Sequence, residues 1–321
     1  MFYHKKIRNQ KVSKKTCTFI KSVICLFRHI QNKERKYKFM RKILITGANG
    51  MLAKAVRERF KEDELICTDV EELDITNLDA VLAFVKEKRP TYIINCAAFT
   101  AVDKAEECYE LAEKINAEGP KNLAIAANQV EATLVHISTD YVFNGELPIE
   151  KSYTEEDLTG PVTVYGVTKL HGEQAVEKNC TKFYIFRTAW LYGDGNNFVR
   201  TMLKLGKEKE ELTVVADQHG SPTYSVDLAN IIYQAIEKQI PYGIYHTTNE
   251  GFTTWYDFTK EIFEIAAISC QVKPVTSEEF VRPAKRPKNS MLSKQKLIKQ
   301  GICVPTWQEG LKRYLQEELS K

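Results

Sequence analysis

At 321 residues the chain is long for one core and comfortable for two lobes, and its 43% hydrophobic and 27% charged content is ordinary for a soluble globular protein. The net charge of +4 is unevenly placed: residues 1–40 hold twelve Lys or Arg against Glu34, so the other 281 residues carry 34 basic and 41 acidic side chains and sum to −7. That mildly acidic body excludes a nucleic-acid binder, which needs a basic face; eight scattered cysteines without a Cys-x-x-Cys give zinc and thioredoxin-like centres no support and suit a reducing, cytoplasmic setting.

Residues 1–40 show no strand alternation and no turn chemistry. Their most apolar stretch, CTFIKSVICLF, is interrupted by Lys21 and too short for a membrane span. No small-residue cleavage site follows it. The segment reads as a basic, disordered extension, with a basic helix resting on a membrane or RNA as the alternative. Met40 stands directly before the first predicted strand and marks an alternative start.

RKILITGANGMLAKAVRERF opens the folded body. KILIT is a short β-branched run, as expected of a buried parallel strand. Gly47 and Gly50 form a turn into the helix MLAKAVRERF, whose first amides lack intrahelical partners and can hold a pyrophosphate. The spacing is Gly-x-x-Gly-x-x-Ala, with Ala53 small enough for close helix–strand packing. The next strand, ELICTD, ends in Asp69, 22 residues after Gly47, where a carboxylate can accept from adenosine ribose hydroxyls and repel a 2′-phosphate. LDAVLAFVKEKR is an amphipathic helix stopped by Pro90. TYIINCAAF is a strand ending in Ala97 and Ala98, small enough to leave room for a flat cofactor. KNLAIAANQV reads as a helix and TLVHIST as a strand ending at Ser138 and Thr139. This alternation predicts an α/β fold: a doubly wound, Rossmann-like parallel sheet that binds its ligand beyond the carboxyl ends of the strands.

In VYGVTK, Tyr165 stands four residues before Lys169, which puts both on one helical face. Fifteen tyrosines and 34 lysines give roughly 1.6 such pairs on random placement. Two occur, Tyr165–Lys169 and Tyr256–Lys260, so position decides. Tyr256–Lys260 lies far along the chain in the amphipathic helix WYDFTKEIFEIA. Tyr165 follows the loop leaving TLVHIST, just before the predicted helix TKLHGEQAVEK, so Thr139, Tyr165 and Lys169 can converge over a nicotinamide. A free phenol titrates near 10, and an adjacent ammonium would lower that value. Lys169 can anchor the nicotinamide ribose, Thr139 can orient a carbonyl oxygen, and Tyr165 can protonate the developing alkoxide. His136, inside a strand, reads as a satisfied core residue.

Over residues 41–321 the chain resembles the extended short-chain dehydrogenases/reductases, and within them the dTDP-4-dehydrorhamnose reductase family, through ITGANG, NCAAFTAVDKAE, HISTDYVFNG, VYGVTKLHGE, FRTAWLYGDGNNF, DQHGSPT and RPKNSML. The resemblance implies a catalytic Thr139, Tyr165 and Lys169. It implies that Gly47, Gly50, Met51 and Leu52 line a pyrophosphate, that Asp69, Asp74 and Ile75 surround the adenosine, and that Ala97, Ala98 and Thr100 lie along NADH or NADPH. Asp140, Tyr141 and Trp190 would touch the sugar of a nucleotide-sugar substrate, and Asn196, Asn197, Gln218 and Arg286 its nucleotide end. Ala53, Lys288 and Met291 depart from the usual pattern. A glutamate that bridges a metal in some dimeric members is Ala55 here, so no metal site is expected; a homodimer stays open.

The resemblance further implies reduction of the C4 keto group of dTDP-4-dehydro-6-deoxy-L-mannose to dTDP-L-rhamnose. Residues 41–189 would form the dinucleotide-binding domain, with segments near 213–249 returning to it. Residues 190–321 would mainly build a smaller, interleaved C-terminal substrate lobe. Two alternatives remain at this point: another nucleotide-sugar reductase or epimerase of the superfamily, or a non-catalytic subunit like the regulatory subunit of methionine adenosyltransferase.

Overall fold

The computed structural model describes residues 40–320. The predicted basic extension therefore lies, Met40 apart, outside the described residues.

The elements in chain order are β1 (Lys42–Thr46), α1 (Met51–Arg59), β2 (Glu64–Thr68), α2 (Leu78–Lys88), β3 (Tyr92–Asn95), α3 (Val102–Ala105), α4 (Tyr109–Glu113), a π-helical turn (Lys114–Glu118) running into α5 (Gly119–Gln129), and β4 (Thr133–Thr139). After a 3₁₀ turn (Asp140–Val142) come α6 (Val164–Asn179), β5 (Phe183–Thr188), β6 (Leu191–Tyr192), α7 (Phe198–Glu208), β7 (Glu211–Val215), β8 (His219–Gly220), β9 (Thr223–Tyr224), α8 (Ser225–Lys238) and β10 (Gly243–His246). The chain closes with β11 (Thr253–Thr254), α9 (Trp255–Ile265), β12 (Gln271–Val275), β13 (Asn289–Ser290), α10 (Gln295–Lys299) and α11 (Trp307–Leu319).

Six strands form one parallel sheet in the order β10-β5-β4-β3-β1-β2. Strand alternation sorts the core into two layers. Ile43, Ile45, Ile94, Val135 and Phe186 face α1 and α8, whose Leu52, Val56, Leu228 and Ile232 cover them. Leu44, Ile93, Leu134 and Ile185 face α2, α5 and α6, with Val81, Val85, Leu123 and Val176. The fold is thus the doubly wound parallel sheet that the alternating pattern predicts. The strand order reverses between β1 and β3, and in such sheets the crevice at that reversal is the ligand site.

A third cluster lies off the sheet. α7 turns Val199, Met202 and Leu203 inward against Leu212 and Val214 of β7, Phe258 and Ile262 of α9, and Leu311 and Leu315 of α11. Asn197 starts α7: its Oδ1 accepts from the Arg200 amide at 3.1 Å, while its Nδ2 donates to the carbonyls of Gly193 and Gly195 and to the Tyr314 hydroxyl.

α6 is the exception to apolar docking. Its buried positions are Gly166, Thr168, Lys169, Gly172, Glu173 and Val176, of which only Val176 is a large hydrocarbon. Glycine lets it approach: a Cβ at Gly166 would sit 2.2 Å from the Tyr141 carbonyl oxygen, and one at Gly172 would sit 2.2 Å from that of Asn116. Glu173 then binds the Arg187 guanidinium of β5 through two hydrogen bonds of 2.9 and 2.7 Å, with the side chains 1% and 4% exposed.

Glu173→Ala strands a buried guanidinium, so the free energy of unfolding should fall by about 3–5 kcal/mol, read as a lower denaturant midpoint. Asn197→Ala removes a helix cap and two loop clamps; a loss of about 1–2 kcal/mol is expected, read in the same way.

Candidate active site

β1 delivers the chain into the glycine turn. Gly47 has φ +62°, and a Cβ there would lie 2.7 Å from the backbone of Ala97, which leaves β3 alongside. Both the left-handed conformation and the strand crossing therefore require glycine. Gly50 is the N-cap of α1 and brings no side chain to the helix start, so the amides there stay available to an anion. Ala53, fully buried, packs under the turn.

Asp69 follows β2 half-buried, and its Oδ2 already accepts from the Asn49 amide at 3.1 Å, closing the turn from outside. Asp74 is exposed, and its carboxylate is held below the usual range by the hydroxyl and amide of Thr76. The Ile75 side chain is buried, lying where a Cβ on Gly119 would clash at 2.6 Å, and its carbonyl accepts from Asn122 Nδ2, so the side chain serves the core.

Ala97 and Ala98 are half-buried beyond β3, and Thr100 is exposed. Their loop is clamped by Asn116, whose Oδ1 accepts from the Phe99 amide at 2.8 Å and whose Nδ2 donates to the Phe99 carbonyl and to Thr168 of α6. Sequence reasoning passed over Asn116. It sits in the π-helical turn, and nothing in the run KINAE marks that irregularity.

α6 begins at Val164, with Thr163 as N-cap, four residues earlier than predicted. Tyr165 thus stands inside the first turn. Its hydroxyl lies near that of Thr139 at the end of β4, and its ring meets Tyr141 edge-on at 5.5 Å. Burial pushes the phenol up to about 12, with the neighbouring Thr139 side chain opposing. The net lowering expected from a lysine ammonium is not found, because burial dominates. Lys169 instead donates to the Ile137 carbonyl at 2.6 Å and lies 3.5 Å from His136 Nε2. Burial pulls this lysine down to about 8, with Glu173 opposing. Thr139 also donates to Asp140 Oδ1 at 2.9 Å, and burial pushes the Asp140 carboxyl up to about 7. The other pair, Tyr256–Lys260, lies on the α9 surface with the lysine over its own tyrosine ring.

Beside Tyr141 opens a cavity of about 830 Å³, walled by Trp190, Trp255, Phe198 and the apolar face of β7, with Gln218, Phe280, Arg282 and Arg286 at its polar edge. Trp190, with φ +49°, stacks on Trp255 at 3.5 Å and 8°. Trp255 went unnoticed in the sequence because its partner is 65 residues away. Gly220 of the DQHGSPT run is needed here, since its Cβ would come 2.6 Å from the Trp190 ring. Gln218 donates to Ser277, and Arg286 pairs with Asp103 Oδ2 at 2.8 Å. Neither Asn196 nor Asn197 lines this cavity: Asn196 is exposed, and Asn197 caps α7.

Known proteins match this architecture over nearly all of the described chain. The family model for the RmlD substrate binding domain covers residues 40–320. The dTDP-4-dehydrorhamnose reductase of Escherichia coli K12 is 41% identical over 294 residues, 86% of this chain and 97% of its own. A crystal structure of a dTDP-4-dehydrorhamnose reductase from Clostridium acetobutylicum superimposes with a TM-score of 0.84 at 53% identity, covering 87% of this chain and 99% of that one. The Bacillus anthracis enzyme of the same name, solved in complex with NADP, gives 0.84 at 46% identity over 87% and 100%. A Rossmann-type sheet with Tyr165 and Lys169 one turn apart at its edge, matched along its length by these relatives, places the chain in the dTDP-4-dehydrorhamnose reductase family.

Proposed function

We propose that the chain reduces the C4 keto group of dTDP-4-dehydro-6-deoxy-L-mannose to dTDP-L-rhamnose with NADPH or NADH, supplying an activated deoxysugar for polysaccharide synthesis. The observation that carries this reading is Tyr165: a phenol beside Thr139, one helical turn before a buried lysine, its ring edge-on to Tyr141, which lines a cavity with an aromatic wall.

The cradle fits a pyridine dinucleotide, because the uncapped start of α1 and the close approach of Gly47 to Ala97 leave backbone amides and space where a diphosphate binds. In this reading Gly47, Gly50, Met51 and Leu52 hold that diphosphate. Asp69, Asp74 and the backbone at Ile75 border the adenosine, and Ala97, Ala98 and Thr100 line the path toward Tyr165 and Lys169. The bound dihydronicotinamide supplies the hydride. A phenol near 12 is fully protonated at neutral pH, the state a proton donor needs, and Tyr165 passes its proton to the alkoxide oxygen that develops at C4. Thr139 orients that oxygen through its hydroxyl. Lys169, when charged, steadies the phenolate left behind and holds ribose hydroxyls.

Asp140 and Tyr141 meet the sugar, Trp190 on its Trp255 backing covers an apolar sugar face, and Gln218 and Arg286 take the nucleotide end. Residues 41–189, joined by α8 and β10, then serve the dinucleotide, and the elements of the third core cluster serve the sugar nucleotide. A cytoplasmic setting belongs to the same reading; the six cysteines among the described residues are all free thiols. Among the described residues no helix is long and apolar enough to cross a membrane.

The direct test is oxidation of NADPH by the purified chain with dTDP-4-dehydrorhamnose present, followed by absorbance, with dTDP-rhamnose identified as product. Cofactor bound without net turnover would sink the reading. Tyr165→Phe should cut kcat at least ~100-fold while the dissociation constant for NADPH stays within about twofold; a near-normal rate would remove Tyr165 from its role. Arg286→Ala should raise the KM for the sugar nucleotide ~10-fold or more, the worth of one charged hydrogen bond to phosphate, with the KM for NADPH unmoved.

A further inference from the structure

Behind Tyr165 runs a chain of buried hydrogen bonds that the proposed reaction does not use. Asn95 Oδ1 accepts from the Thr46 hydroxyl at 2.7 Å and from the Ala97 amide at 3.1 Å. Two donors on one oxygen fix the amide's orientation and leave Asn95 Nδ2 as the donor to His136 Nδ1, 3.2 Å away. A ring nitrogen that accepts carries no proton, so a neutral His136 must hold its single proton on Nε2. Complete burial keeps the ring neutral by pushing its pKa well below the usual histidine value. Nε2 then faces Lys169 Nζ at 3.5 Å. An ammonium there would set two donors against each other, whereas a neutral amine would turn a lone pair toward the imidazole N–H.

We propose that His136, held by Asn95 as its Nε2–H tautomer, is a positioning residue that biases Lys169 toward the neutral amine and thereby sets the alkaline limit of the reaction. The proposal rests on the reading of Lys169 as the cation that serves cofactor and phenolate. Of the other groups facing Lys169, the Ile137 carbonyl accepts from Nζ at 2.6 Å, as it can from amine or ammonium, and the titratable ones offset the bias little. Glu173, one turn along α6, favours the ammonium, but its two oxygens are already bound to Arg187. Cys96, at the end of β3, and Tyr165, one turn earlier on α6, are both pushed up to about 12 by burial and carry no charge at neutral pH. Burial acts in the same direction as His136 and is the largest cause bringing the lysine to about 8. Loss of its charge as pH rises through that value removes the stabilisation of the developing phenolate, so rate falls on the alkaline side.

Two measurements test this. Nitrogen NMR of the full chain labelled at histidine, with His136 assigned in the wild type, should show Nε2 protonated and Nδ1 bare at pH 7. An Nδ1–H tautomer or an imidazolium would overturn the proposal whatever the enzyme does, and without needing a variant that folds. The pH profile of kcat/KM, with NADPH and dTDP-4-dehydrorhamnose, should bend downward near pH 8. In His136→Gln, whose amide oxygen can accept from the ammonium, that bend should move up by about one pH unit; an unmoved bend would overturn the proposal. Wild-type kcat/KM in Lys169→Ala would overturn the functional reading and with it the alkaline-limit claim, while the tautomer result would still stand as a property of His136.

Discussion

The site depends on how α6 is held against the sheet without a hydrocarbon stripe. A helix that buries glycine, threonine, lysine and glutamate gains little from the hydrophobic effect at those positions. Two glycines bring its backbone onto the carbonyls of Tyr141 and Asn116, and the Glu173–Arg187 pair ties its middle to β5. A buried ion pair is a poor source of net stability, because desolvation cancels much of the attraction. What it supplies is geometry: slippage or rotation of α6 would strand both charges. That requirement fixes Tyr165 against Thr139 and Lys169 against His136, since all lie on the same helix face or directly beneath it.

The crossing of Gly47 and Ala97 is the second constraint, and it sits at the reversal of strand order between β1 and β3. Two strand ends approach within a distance that excludes a Cβ. The chain leaving β1 must turn left-handed there, and the chain leaving β3 must carry small side chains. Asn95 and Asn116 then pin the second chain from below and from the side. The cradle and the proposed proton donor thus share a buried polar layer: Thr46, Asn95 and His136 reach Lys169, and Asn116 reaches Thr168 on the same helix.

Beyond the sheet, the cavity is shaped by segments far apart in the chain. Trp190 closes β5 in a left-handed turn, Trp255 opens α9, and Gly220 makes room for their stacked rings. Asp103, the second residue of the loop helix α3, holds Arg286 and the Ala284 amide at the polar edge. The segment that follows β3 and the arginine-bearing loop are therefore in direct contact.

The first four strands, the doubly wound class and the glycine turn were legible in the sequence, because continuous apolar runs and left-handed backbone demand particular residues in adjacent positions. The pairing of Tyr165 with Lys169 was legible only as one of two equal candidates; the Tyr256 pair has the same spacing, and chain order after TLVHIST favoured the first. Asn197 was named through the family resemblance, and its capping of α7 was not legible, because an asparagine that caps a helix and one that meets a ligand have the same local sequence. Asn116, Trp255 and the tautomer of His136 could be decided only in three dimensions. Each owes its role to a partner distant in the chain, and side-chain direction, burial and the count of donors around one buried atom are set by packing rather than by neighbours in sequence.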